Sequence, residues 1–152
     1  MTVYERIIQL LDNHQVKYQA LEHEPTRTCA DSARIRGTTA DQGAKALVCL
    51  ADKTPIMIVL SCSQKLDAKL FKQTFKVKDL RFASPLEVSQ ITGLEIGSIP
   101  PWGSLFKLAT YLDTSLSSQS QIAFNAGDTR RSIIMNYSDY VLLEKPNIGR
   151  IS

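Results

Sequence analysis

A lysine at the head of an apolar strand is the first residue of this chain whose setting suggests chemistry. Lys45 follows Gly43-Ala44 and opens the run Lys-Ala-Leu-Val-Cys-Leu-Ala51. Turned into a pocket, its ammonium would anchor an anion, or act as a base if burial lowered its pKa. Turned along the strand, it would only carry its charge out to water. A second candidate is Phe124-Asn125-Ala126-Gly127. Asn125 offers both a donor and an acceptor, and the small residues after it let a ligand approach the backbone; the same four residues also suit a hairpin turn. The third is Gly93-Leu-Glu-Ile-Gly97-Ser-Ile-Pro-Pro-Trp-Gly103, which holds the chain's only tryptophan. Regular structure cannot run through Pro100-Pro101, because proline has no amide hydrogen and a fixed φ. The stretch is therefore a shaped loop, serving either as a plain crossover or as a rim that offers backbone groups to a ligand.

Other chemistries have little to work with. The chain has only His14 and His23, which excludes a zinc site of His/Cys spacing; no metal or organic cofactor is expected. Neither histidine lies in a recognisable nucleophile motif. The three cysteines, Cys29, Cys49 and Cys62, form no close pair along the chain. With no signal peptide in view they read as thiols of a reducing cytoplasm, Cys49 and Cys62 as core residues. The formal net charge of +3 does not announce a nucleic-acid binder, so any such surface must be local. No apolar run reaches the ~20 residues that span a bilayer.

The elements that must position these residues follow from pattern. At 152 residues, 43% hydrophobic and 22% charged, the chain reads as one domain over 1–152 with a substantial core. Thr2 to Glu5 reads as a capping box opening a helix through Asn13, and Thr28 caps a short helix that stops at Gly37. Residues 45–51 and 56–61 form a hairpin of two nearly continuous apolar strands, so both of its faces are expected to be covered. Ser63 is read as the cap of a helix carrying Lys65, Lys69, Lys72 and Lys76 on one face, a stripe suited to tracking phosphates or to plain solvation. A short strand covers 80–83. Ser84-Pro-Leu-Glu87 is a strong helix start, and that helix ends at Gly93. Strands are expected over 106–112, 121–125 and 131–135, with Ser138 capping a last helix to Glu144 and a frayed tail from Pro146. Hairpins dominate, so a mixed, mainly antiparallel sheet with peripheral helices is expected.

Taken together, the motifs resemble one family. The series is His23 with Thr28, Gly-Ala-Lys-Ala-Leu-Val (43–48), Ala-Ser-Pro-Leu-Glu-Val (83–88), Thr-Gly-Leu-Glu-Ile-Gly-Ser-Ile-Pro-Pro-Trp-Gly (92–103), Leu-Asp-Thr-Ser-Leu (112–116) and Phe-Asn-Ala-Gly (124–127). It is similar to the YbaK/prolyl-tRNA synthetase-associated domain family of trans-editing aminoacyl-tRNA deacylases, over roughly residues 20 to 145. The resemblance implies a mixed α/β domain whose sheet closes into a barrel-like core. It also implies hydrolysis of the ester joining a wrong amino acid to the terminal adenosine of a tRNA, often tRNA-Pro. Lys45 matches the required lysine, which holds the terminal-nucleotide phosphate or orders the reacting end. Gly97, Ser98, Ile99, Pro100, Pro101 and Gly103 match the loop bordering the aminoacyl pocket. Asn125, Ala126 and Gly127 match the same wall, and Thr28 and Ser61 match positions near the site. Leu47, Leu60, Ile99 and Trp102 are candidate walls. Some alanine-specific members carry a histidine shortly after the Asn-Ala-Gly motif; here Asp128, Thr129, Arg130 and Arg131 follow, so an alanyl-prolyl specificity does not simply carry over.

Three readings follow. The first is a cytoplasmic deacylase, free of cofactor, membrane and DNA, acting on the acceptor end of mischarged tRNA with an aminoacyl-tRNA synthetase as a further partner. An aminoacyl ester is already activated, so positioned water suffices without a covalent intermediate. The second is a non-catalytic module that binds tRNA ends or nucleotides. The third is a hydrolase of small aminoacyl esters.

Overall fold

The computed structural model describes residues 1–152. Five α-helices surround two β-sheets of three and five strands. Helix α1 (Val3–Asn13) starts at Thr2, whose side chain accepts from the Glu5 amide at 3.1 Å, and it buries Ile7 and Leu11 completely. Only this forward half of the expected capping box is made. Strand β1 (Tyr18–Glu22) leads to α2 (Cys29–Arg36), which is capped by Thr28 and ended by Gly37 at φ 71°, a left-handed position that suits glycine.

Strands β2 (Ala44–Ala51) and β3 (Thr54–Ser61) pair antiparallel, with Lys45 opposite Leu60. Their side chains divide between the two faces with the period of two that a strand imposes. Val48, Met57 and Val59 join the main core, whereas Cys49, Ile56, Ile58 and Leu60 face the second core under α3 (Ala68–Phe75). Covering on both faces explains the unbroken apolar runs. Strand β4 (Leu80–Phe82) flanks β2, and α4 (Pro85–Thr92) follows with the reciprocal Ser84–Glu87 capping box in place. Strand β5 (Ala109–Asp113) runs parallel to β3, while β6 (Gln121–Asn125) and β7 (Arg131–Asn136) complete the smaller sheet with β1.

Several expectations need correction. The sheets do not close into a barrel: the larger runs β4-β2-β3-β5-β8, with β8 at Asn147–Gly149, and a single Gly43–Ala123 bridge hydrogen-bonds it to the smaller. Asp67, not Ser63, caps α3, accepting from the Leu70 amide at 3.0 Å. Lys65 therefore precedes the helix and Lys76 sits at its left-handed end, leaving only Lys69 and Lys72 within it. Residues 103–106 form a 3-10 turn, so β5 starts later than expected. Asn136 precedes the last helix, α5 (Tyr137–Glu144), in place of Ser138. The tail is not frayed: β8 (Asn147–Gly149) pairs with β5, and buried Asp113 accepts from the Ile151 amide at 2.7 Å and from the Ser152 hydroxyl at 2.9 Å.

Candidate active site

The Gly/Pro loop is rigid because each of its turns is tied to something else. It leaves α4 at Gly93, where the Leu94 amide donates to the Thr92 hydroxyl at 3.0 Å. Gly97 is left-handed at φ 96°, a conformation that favours glycine. Ser98 is buried; its hydroxyl donates to the Glu95 carbonyl at 2.8 Å and its carbonyl accepts from the Gly127 amide at 2.9 Å. The buried Tyr140 hydroxyl donates to the Pro101 carbonyl at 2.5 Å. Trp102 packs edge-on against the Tyr140 ring at 4.9 Å and the Phe124 ring at 6.3 Å. Gly103 fits so tightly that a Cβ there would lie 2.3 Å from Thr110 Oγ1 and 2.9 Å from the Leu108 carbonyl. The loop is thus built from inside the core outward.

Its free edge borders a cavity of about 150 Å³. Lys45 and Ala46 of β2 line one side, and Thr28, Ser32 and Arg36 of the α2 segment, with Arg27, line another; Gly97, Ile99 and Asn125 close it. Five of the site residues expected from sequence meet here: Lys45, Thr28, Gly97, Ile99 and Asn125. Ser98, Pro100, Pro101, Gly103, Ala126 and Gly127 lie behind the wall, where they hold its shape; Gly127 backs onto Val3 and Tyr4 of α1. Of the candidate wall residues only Ile99 reaches the cavity, because Trp102 is core, Leu60 is wholly buried in the second core and Leu47 packs against that core. Ser61 accepts from the Ser63 amide at 3.2 Å and donates to the Asp41 carbonyl at 3.0 Å, fixing the strand end without lining the cavity.

The wall carries three cationic side chains, Lys45, Arg36 and Arg27, and no carboxylate. The Lys45 ammonium donates to the Gln64 carbonyl. Burial first, then the nearby Lys65 charge, lowers its pKa below the usual lysine value. On the opposite side Asn125 joins four segments. It accepts from Arg36 Nη2 at 2.8 Å, and its amide donates to the Gly97 carbonyl at 2.6 Å and to Thr26 Oγ1 at 3.2 Å. Arg36 Nε donates to Ser132 Oγ at 2.8 Å, and burial brings its pKa down to about 10. His23 completes the set. Its Nδ1 lies 2.7 Å from the Glu24 carbonyl, which can only accept, so Nε2 is left to accept the Ser132 hydroxyl hydrogen at 2.7 Å. Ser132 is fully buried and off the cavity wall, so this serine–histidine pair orients Arg36 and is not a nucleophile.

Sequence reasoning missed two features. The first is Arg36. Thr28, Ser32 and Arg36 recur every four residues, which places them on one helix face; that spacing, with Thr28 already assigned near the site, was the available signal. The second corrects the reading of the cysteines. Cys29 and Cys62 form a disulfide across a Cα separation of 5.6 Å, and both line the cavity. Only Cys49 is a free thiol, buried and pushed up to about 12 by desolvation. Gly43 lies directly behind the bridge, where an added Cβ would be 3.0 Å from Cys62 Sγ. The disulfide ties the start of α2 to the end of β3 across a sequence separation of 33. By loop-closure entropy its loss should cost about 2–4 kcal/mol. We expect the Cys29→Ser/Cys62→Ser protein to show that drop in urea unfolding, and the oxidised wild type to lose as much on addition of dithiothreitol.

The model of the aminoacyl-tRNA editing domain matches residues 23–143 of this sequence. The chain belongs to the aminoacyl-tRNA editing domain family. The match takes in His23, α2, Lys45, the Gly/Pro loop and Asn125, which are the segments that build the cavity. Among curated proteins the chain is 32% identical to the multifunctional Ser/Thr-tRNA deacylase ProXp-y of Escherichia coli K12, over 95% of this chain and 90% of that protein. It is 25% identical to the prolyl-tRNA editing protein ProX of Acetoanaerobium sticklandii, over 97% of this chain and 93% of that protein. A crystal structure provisionally described as a trans-editing enzyme for prolyl tRNA synthetase superposes with a TM-score of 0.85 at 24% identity, over 100% of this chain and 98% of its own. That likeness shows the editing-domain fold. No helix is long and apolar enough to cross a membrane.

Proposed function

We propose that this editing domain is an aminoacyl-tRNA deacylase that hydrolyses the ester of mischarged tRNA in trans. The observation that carries the reading is a small cavity with cations and no carboxylate on its wall, built by the segments that define the family. A tRNA 3′ end brings a phosphodiester and a carbonyl that becomes an oxyanion, and both match such a wall. Lys45 takes the terminal phosphate. The loop edge at Gly97 and Ile99, with Thr28 and Asn125, holds the aminoacyl ester; Ser98, Pro100, Pro101, Gly103, Ala126 and Gly127 keep that edge in place. Water attacks directly: an aminoacyl ester is already activated, so positioning and a prearranged polar wall suffice without an acyl-enzyme.

Cavity size supports small side chains. About 150 Å³ is the space of one benzene-sized group; with the ester and the edge of the ribose also to be seated, what is left suits the side chains of alanine, serine, threonine and cysteine. Each extra methylene in a closed pocket changes discrimination by roughly 1–3 kcal/mol. Such substrates arise where tRNAs are charged, which supports a cytoplasmic location and a synthetase as a further partner.

The test is a deacylation panel of Ala-, Ser-, Thr- and Cys-charged tRNAs, with the free aminoacyl adenosine esters beside them. Turnover of the tRNA-linked esters supports the reading. Tight binding without turnover would replace it with a tRNA-end binding module, and equal turnover of the free esters would replace it with a small-ester hydrolase.

The lysines of the α3 segment extend the anchor. Lys65, Lys69 and Lys76 are exposed and Lys72 is half-exposed, and none makes an ion pair. Lys65 adjoins Gln64, the partner of Lys45, so the row leads away from the phosphate end of the cavity. For Lys69→Glu/Lys72→Glu we expect weaker tRNA binding and a salt slope (log K against log salt) shallower by roughly 2, since each phosphate contact contributes about one counterion. An unchanged slope measured by filter binding would return these lysines to plain solvation.

A further inference from the structure

Arg36 has no assigned part in the chemistry, yet its setting is unusual. It is half-buried on the cavity wall and makes no ion pair with any carboxylate. Two of its nitrogens are committed to neutral acceptors: Nε to Ser132 Oγ and Nη2 to Asn125 Oδ1, both at 2.8 Å. Nη1 makes no hydrogen bond within the chain. Nη1 is not buried, so on a cavity-lining guanidinium whose other bonds are fixed this donor edge stays open to whatever enters the cavity. The network behind it serves that edge. His23 fixes the Ser132 hydroxyl, Ser132 and Asn125 lock the guanidinium plane, and Asn125 ties the plane to the Gly97 carbonyl of the loop.

Lys45 and Arg36 divide the cavity. The Lys45 ammonium is held on the exposed side, at Gln64 and near Lys65, whereas the Arg36 bonds are part-buried beside Asn125 and the loop edge. A phosphodiester belongs on the exposed side, because the rest of the tRNA must leave from there. The ester belongs on the buried side.

We propose that Arg36 is a catalytic residue that donates through Nη1 to the oxygen of the scissile ester carbonyl; the proposal rests on the deacylase reading above. Water adds to the carbonyl carbon, the carbonyl π pair moves onto oxygen, and Arg36 holds the resulting oxyanion. Collapse restores the carbonyl and breaks the bond to the ribose oxygen. That oxygen receives the proton lost by the water, giving free amino acid and uncharged tRNA. A donor locked in place before the reaction stabilises developing charge without reorganising, and one such donor is worth about 10²–10³-fold in rate.

The experiment is single-turnover deacylation by Arg36→Ala and Arg36→Lys across a range of enzyme concentrations, on the mischarged tRNA that wild type hydrolyses fastest. If wild type hydrolyses none, the deacylase reading fails before this proposal is reached. For Arg36→Ala we expect the limiting rate to fall about 10²–10³-fold, with the half-saturating concentration within about threefold of wild type and partial recovery on addition of guanidinium. Arg36→Lys keeps the charge but cannot lock Asn125, fill Ser132 and reach the substrate at once. It is expected to lose at least about tenfold in limiting rate, and it carries the test if the alanine protein does not fold. A raised half-saturating concentration with an unchanged limiting rate would make Arg36 a phosphate anchor and overturn the proposal. So would an unchanged rate in a folded variant, or a loss that guanidinium does not recover.

Discussion

Lys45→Ala is expected to lower the limiting rate of single-turnover deacylation by about 10²-fold or more while leaving the fold intact. The fold should survive because Lys45 sits at the open end of β2 and its ammonium has one partner, the Gln64 carbonyl; removing it leaves no buried charge behind. The rate should fall because a phosphate released from its anchor lets the ester drift, and a misplacement of about 1 Å is enough for that loss. Binding energy from the tRNA end is then no longer used to orient the reacting group. The pH profile separates this role from a steric one. Desolvation, and then Lys65, lower the Lys45 pKa, so the ammonium is lost at a lower pH than for an ordinary lysine. Activity corrected for spontaneous ester hydrolysis should therefore decline as pH rises through that value, and Lys45→Ala should lack this contribution, keeping only the alkaline decline that Arg36 sets. Lys65→Gln should move the Lys45 decline to higher pH. An unchanged limiting rate in Lys45→Ala would remove the lysine from the mechanism.

Which parts of this site could be read in the sequence depends on how local their cause is. The Ser84–Glu87 capping box, the stop at Gly93 and the 45–61 hairpin are decided within a few residues, and all are present as expected. Lys45, Asn125 and Gly97 were legible as candidates because odd residues in apolar or Gly/Pro surroundings stand out without knowledge of their neighbours. Arg36 was not: an arginine in the last turn of a short helix is ordinary dipole complementation, and its partners Asn125 and Ser132 lie about ninety residues away. The disulfide was hidden for the same reason, although Cys29 follows Thr28 and Cys62 follows Ser61, two residues already placed near one site. The α3 start was misread because Ser63 and Asp67 are both sound caps. The choice fell to Asp67, whose own amide is also tied down by the Ile151 carbonyl of the returning tail. The tail strand β8 likewise depends on Asp113, a contact no window of sequence displays.

Trp102→Ala should be the most destabilising single change in the loop. The side chain is fully buried between the Tyr140 and Phe124 rings, and a large aromatic removed from such a place costs about 3–5 kcal/mol. For a chain of this length that corresponds to a drop of about 6–20 °C in Tm, to be read by circular dichroism because the variant has no tryptophan left to follow. The chemistry of the indole sharpens the test. Trp102 Nε1 is buried and has no hydrogen-bond partner, so its N–H contributes strain and no bond. Trp102→Phe removes that orphan donor and keeps most of the apolar volume, and should lose less than half of what alanine loses. The consequence reaches the cavity through backbone. Trp102 and Pro101 are consecutive, Pro101 is held by the Tyr140 hydroxyl, and Phe124 leads directly into Asn125. Loss of the indole therefore loosens both sides of the loop edge at once. Measured at a temperature where Trp102→Ala remains folded, deacylation should show a lower limiting rate, with discrimination between serine and threonine esters narrowed because the cavity wall can yield. Full activity and unchanged discrimination in a destabilised Trp102→Ala would mean that the cavity keeps its shape without the core beneath it, and the loop would then be a crossover and not a rim.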